Sequence, residues 1–219
     1  MSVFDSFFDQ VDRDLVIQEA TYGFVMALTF VTATQLGMID MEASLLVKSI
    51  IAMDFVWGAI DLIIFFNMDV IAARRRRHDL ARIYAGESES PEEEMYGMLD
   101  GTIFEELDDE SRRKAVEAMS GGHFVGCRMS ASERHKYLFN AVTAFLVTFL
   151  TALPSAFCIL LIEDMWFACL CAASVSCLSL FFTGYLMAVS ESKLIRFAFG
   201  LSLTIVTMVL TLFAAYFGG

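Results

Sequence analysis

Proline is nearly absent from this 219-residue chain, with two in all. That excludes a proline-rich scaffold and leaves long helices unbroken. Basic residues are also scarce: 15 Lys and Arg face 27 Asp and Glu, for a net charge of −12. A general nucleic-acid binder needs the opposite sign. Five cysteines occur, four of them (Cys158, Cys169, Cys171, Cys177) inside apolar blocks and one (Cys127) in a polar region. No disulfide framework follows. Embedded cysteines read as small packing residues or, alternatively, as ligands for a soft metal. Neither CxxC nor HExxH occurs, and His78, His123 and His135 are isolated, so a tetrahedral zinc site is not expected. No nucleophile–base pair or cofactor motif is visible, which leaves an enzyme the least favoured class.

What is present in excess is apolar sequence. Apolar residues make up 57% of the chain, with 21 Phe and 13 Met, and only 19% is charged. The mean hydropathy of +0.61 argues against disorder. Residues 20–39, 137–162, 165–190 and 197–219 hold no Asp, Glu, Lys or Arg. Each run reaches the roughly 20 residues needed to cross a bilayer. A further block over 45–68 is interrupted by Lys48, Asp54 and Asp61 but otherwise reads as a span. The expected fold is an all-α membrane protein of five transmembrane helices, near 18–37, 45–68, 139–162, 165–188 and 194–217. Residues 1–17 precede them and 69–138 form a helical insert between the second and third.

The first block is not a signal peptide, because Asp5, Asp9, Asp12 and Asp14 stand where a basic region would be. The stretch VFDSFFDQV has the pattern of a short interfacial amphipathic segment. All basic residues except Lys48 lie in the tail, the insert or the turn before the last span, and Arg74, Arg75, Arg76 and Arg77 directly follow the second. The positive-inside bias then places the N-terminus and the insert in the cytoplasm and Gly218–Gly219 outside.

Within the insert, the second span should continue as a helix to Gly86. Ser90-Pro91-Glu92-Glu93 has the form of a capping box with proline at the first helical position. A helix is expected near 108–119, broken by Gly121-Gly122, and Ser130 with Glu133 forms a second capping box ahead of the third span. Residues 87–110 contain 11 Asp and Glu and no Lys or Arg. One reading is a solvated acidic linker. The other is a carboxylate site for a hard or borderline divalent cation, built from Glu89, Glu92, Glu93, Glu105, Glu106 and Asp109. Glu89 with Glu92 or Glu93, and Glu105 or Glu106 with Asp109, would share faces if helical.

Asp54 and Asp61 are the most expensive residues, at roughly 2.5–3.5 kcal/mol each near a helix centre. Seven residues apart, they share one face with Gly58 between them, which gives room for a helix or an ion. Asp69 continues that stripe at the mouth. Glu19 opens the first span on the same side, and Met26 lies two turns deeper. These residues mark either a graded acidic path for an ion or proton, or protonated carboxyls that hydrogen-bond neighbouring helices. Trp57, Met53 and Met68 are weaker signals. The third to fifth spans read as chemically quieter, with Pro154 loosening the third and Ser and Thr serving helix packing.

Taken in order, YGFVMALTF, AMDFVWGAID, FLVTFLTALPSAF, LFFTGY and AAYFGG, around a long charged insert, resemble the vacuolar iron transporter family, and more closely its divergent prokaryotic relatives. The resemblance covers most of the chain outside the insert. It implies a homodimer in a prokaryotic plasma membrane that exports Fe2+ or Mn2+ from the cytosol against protons, with no covalent cofactor and with insert glutamates collecting metal. The chain departs from the family where an Asp-Gly would open the first span, which here reads Tyr22-Gly23 with Glu19 a turn earlier. It departs again on the second span, where Leu62 and Phe66 replace a Met and a Glu, and the family's glutamate spacing in the insert is not reproduced. A second class therefore stands beside the transporter: a non-transporting membrane scaffold or metal sensor that reuses the fold.

Overall fold

A computed structural model describes residues 13–217 except 123, 125, 127, 190 and 191. The interfacial segment expected at 3–11, Cys127, His123 and Gly218–Gly219 lie outside the described residues. The chain is all-helical, and no strand occurs among the described residues. In order come α1 (Arg13–Gln35), α2 (Ala43–Tyr84), α3 (Pro91–Gly97), a 3-10 turn (Ile103–Glu106), α4 (Asp109–Ser120), α5 (Ala131–Leu161), α6 (Met165–Met187) and α7 (Lys193–Phe217). Five of them, α1, α2, α5, α6 and α7, are long and apolar enough to cross a bilayer, which marks an integral membrane protein.

Local sequence explains the boundaries. α1 stops where Gly37 takes φ of 69°, a left-handed geometry that other residues resist. The Gly37 amide bonds the Thr34 carbonyl and the Met38 amide bonds that of Ala33, both at 3.0 Å, so a Schellman turn closes the helix. α2 ends likewise at Gly86, with φ of 75°. The expected capping box at Ser130 forms in both directions: Glu133's amide bonds Ser130 Oγ at 3.1 Å, and Ser130's amide bonds Glu133 Oε2 at 3.0 Å. The one expected at Ser90 does not. Its side chain caps nothing, and α3 starts on Pro91 alone. α4 starts one residue later than expected, because Asp108 is its N-cap and accepts from the Ser111 amide at 2.8 Å.

The chain divides into two compact units, residues 1–65 with 138–219, and residues 66–137. In the first, the core joins α1 (Ala27, Val31), α2 (Leu46, Val47, Ile50), α5 (Ala152, Ala156, Ile159) and α6 (Cys169, Ala172). Small residues set the spacing, as is usual when lipid removes the hydrophobic drive between helices. A Cβ on Gly200 would lie 2.5 Å from the Phe181 carbonyl oxygen, so α6 and α7 cross nearly backbone to backbone. Gly58 is similarly filled: Phe145 of α5 packs on it, with its carbonyl oxygen 3.1 Å from where a Cβ would stand. The room expected there belongs to a helix. Trp57, Phe55 and Ile63 point outward and are exposed, and the four described cysteines are free. The second unit has its own small core of Ile83, Met95, Leu99 and Val116.

Candidate functional site

Three acids of the first unit, Glu19, Asp54 and Asp61, lie where α1, α2 and α5 meet. Gly23 brings α1 against α5, since a Cβ there would overlap Thr151 Oγ1 and lie 2.9 Å from the Thr148 carbonyl oxygen. One turn before it, Glu19 is fully buried, and its Oε2 accepts a hydrogen bond from Thr148 Oγ1 at 2.6 Å. Glu19 Oε1 has no hydroxyl, amide or cationic donor among the described residues. The other close neighbour of this group is the half-buried Asp61 of α2, whose carboxyl is within hydrogen-bonding reach. Two carboxyl groups bond to each other only with a proton, or a cation, between them.

Two turns along α2, Asp54 is fully buried, and neither of its carboxyl oxygens has a partner among the described residues. A buried carboxylate without a donor is among the costliest groups a fold can hold. The rise of about 1.5 Å per residue sets Asp54 roughly 10 Å from Asp61. Because α1 and α2 run antiparallel and pair at Glu19 and Asp61, Met26 falls at the depth of Asp54. Met26 is half-buried. Asp69 lies further along α2, in the second unit, and is half-buried.

The α5 contribution to this site was not anticipated, because the third span read as quiet. Thr148 is fully buried and holds Glu19, and two turns earlier on the same helix Asn140 Oδ1 is buried without a partner among the described residues. Asn140, Ala144, Thr148, Thr151 and Ser155 recur at spacings of four, four, three and four, a single helix face. That polar stripe was the available signal. Ser155 extends it to α6 through a 3.0 Å hydrogen bond with Ser176.

The acids of the second unit are arranged differently. Glu89, Glu92, Glu93, Glu105, Glu106 and Asp109 are all exposed. The shared helix faces expected for them are not formed. Glu89 precedes the α3 cap, while Glu105 and Glu106 sit on a 3-10 turn that Asp108 separates from α4. Individual contacts engage several of them. Glu105 accepts from the Gly101 amide at 2.8 Å, Asp109 from the Tyr96 hydroxyl at 2.8 Å, and Glu94 pairs with Arg82 at 3.2 Å. Asp100 pairs with Arg112, and Glu110 with Lys114 at 2.6 Å. The Ser111 amide holds the Asp108 carboxyl below its ordinary range, and the bond to Asp109 raises the Tyr96 hydroxyl. Among the described residues, no three His, Cys, Asp or Glu side chains converge on a point that could hold a metal ion.

No protein-family model, curated protein or solved structure matches the chain. The class defined by the fold is an all-helical protein with five candidate membrane spans and a carboxylate group among three of them.

Proposed function

We propose that the chain is a divalent-cation transporter, carrying Fe2+ or Mn2+ out of the cytosol in exchange for protons. The supporting observation is Asp54, a fully buried carboxyl group with neither oxygen partnered among the described residues, two turns along one helix from the Glu19–Asp61 pair. Acids within spans mark ion and proton routes by default. Glu19, Asp61 and the Thr148 hydroxyl offer the oxygen ligands that hard and borderline cations take. Asp54 is the next acceptor inward, with Met26 at its depth, and Asp69 comes eight residues after Asp61 in the sequence. A cation leaving this path gives its place to a proton on the same carboxyls. The sequence resemblance to vacuolar iron transporters favours this cargo, a homodimer and a prokaryotic plasma membrane. The basic residues after α2 favour a cytoplasmic N-terminus and 66–137 unit.

The decisive measurement is Mn2+ uptake into proteoliposomes under a pH gradient. The wild-type chain is expected to transport, and D54N/D61N is expected to fall to the level of empty vesicles. Unaltered uptake by that variant overturns the mechanism.

One observation favours a second reading, a membrane scaffold or metal sensor that does not transport. The outer acids are dispersed in caps and ion pairs rather than gathered. Calorimetry and uptake on the full chain together separate the readings. The transporter requires both Mn2+ binding and uptake that D54N/D61N abolishes, a sensor binds Mn2+ without moving it, and a scaffold does neither.

A further inference from the structure

The second unit contains a cavity of about 620 Å³ whose charge is opposite to that of the chain. Arg76, Arg77 and Arg128 line it, and Glu133 is the only acid among its lining residues. Arg77 is already committed, since its guanidinium donates to Glu133 and to the Arg128 carbonyl oxygen. That pairing cancels the one negative charge. Arg76 and Arg128 are exposed and have no carboxylate partner among the described residues. Two uncompensated guanidinium groups therefore open onto one cavity in a protein of net charge −12. Its far wall is aromatic: Tyr84 and Phe124 stack at 5.9 Å and 17°. Tyr84 is fixed by its hydroxyl, which donates to the Met119 carbonyl.

We propose that this cavity is a binding site for a phosphate group, with Arg76 and Arg128 as its two ligands. Guanidinium groups form paired, charge-assisted bonds to phosphate oxygens. The fixed Arg77–Glu133 pair holds the floor in place before any ligand arrives. Position along α2 favours a lipid as the source. Arg76 comes eight residues after Met68, where the expected span ends, or about 12 Å along the helix, from which a long guanidinium side chain reaches back to the headgroups. Basic pockets beside membrane helices take anionic headgroups in this way. A soluble phosphate compound offers the same chemistry.

The site does not depend on transport, and its test is binding. Native mass spectrometry of the full chain in detergent would compare retention of phosphatidylglycerol with that of zwitterionic phosphatidylcholine. The wild-type chain is expected to prefer phosphatidylglycerol, and R128Q to lower its retention about fivefold, the effect of one basic side chain at an anionic headgroup. Arg128 precedes α5 and its side chain anchors no other element, so R128Q should melt with the wild type; R76Q/R128Q should remove the preference altogether. Displacement of the lipid by millimolar inorganic phosphate assigns the occupant to soluble phosphates, and resistance assigns it to lipid; both keep the phosphate site. R74Q/R75Q supplies the control for diffuse surface charge, because neither residue lines the cavity. If it loses as much lipid as R76Q/R128Q, or if R128Q binds like the wild type, the site does not exist.

Discussion

The two units handle negative charge in opposite ways. The 66–137 unit carries many acids at its surface, and those with contacts use them for a cap, a turn or an ion pair. In the membrane unit, Glu19 and Asp54 are wholly enclosed and, among the described residues, short of donors. An exposed carboxylate is hydrated, and its ion pairs contribute about 0–1 kcal/mol. An enclosed one stays charged only beside a cation, so its ligand demand is built in. Counting acids directs attention to 87–110, whereas enclosure directs it to Glu19 and Asp54.

The sharpest way to break this contrast is to neutralise each set. D54N/D61N should abolish Mn2+ uptake, while E92Q/E93Q/E105Q/E106Q should leave it within about twofold, with the difference vanishing at 1 M salt, where screening acts within about 3 Å. If the exposed set proved the more damaging, the comparison would be reversed. Next in size is helix packing. Gly23→Val should lower stability by about 1–3 kcal/mol, because α1 must move off α5. Gly97→Val, where a Cβ meets nothing within 4 Å, should change it far less. Thermal unfolding in detergent compares the two.

Smaller effects are confined to the outer unit. Ser130→Ala should cost about 1 kcal/mol through loss of the cap on α5, read as faster amide exchange in its first turn. The Asp108 cap should be sensitive to pH. Its carboxyl is lowered in the folded chain, so its contribution is complete above the ordinary value and fades as pH falls through the folded one. α4 protection factors should drop on acidification below about pH 4. An Asp108→Asn variant, which caps without titrating, should flatten that profile.

Much of this arrangement was legible in the sequence, for identifiable reasons. Four blocks free of charge, and a fifth interrupted only by Lys48, Asp54 and Asp61, marked the five long helices, since a bilayer-length apolar run admits few alternatives. Gly86 and the Ser130–Glu133 pair marked their ends because local geometry decides a cap. Ser90 shows the limit of that logic. Its amide bonds Ser88 Oγ at 3.3 Å instead of Glu93, and its hydroxyl caps no amide of α3. Asp54 and Asp61 stood out by cost alone, yet nothing local distinguished the enclosed residue from the half-buried one. Thr148 was hidden for a stronger reason: a threonine in an apolar helix is ordinary until another helix presents it with a carboxylate. The grouping of the insert glutamates failed because it assumed helix across 102–108, where Thr102 and Asp108 each cap a new turn instead.

The Glu19–Thr148 hydrogen bond spans 129 residues of chain. During synthesis Glu19 emerges early, and the hydroxyl that will hold it does not yet exist. At about 5–20 residues per second, the wait is on the order of 6–26 s. Throughout that interval the acid has only water, lipid headgroups or a proton to satisfy it. Until α5 arrives to seat it, the nascent first helix stays shallow, is held by the insertion machinery, or carries Glu19 protonated.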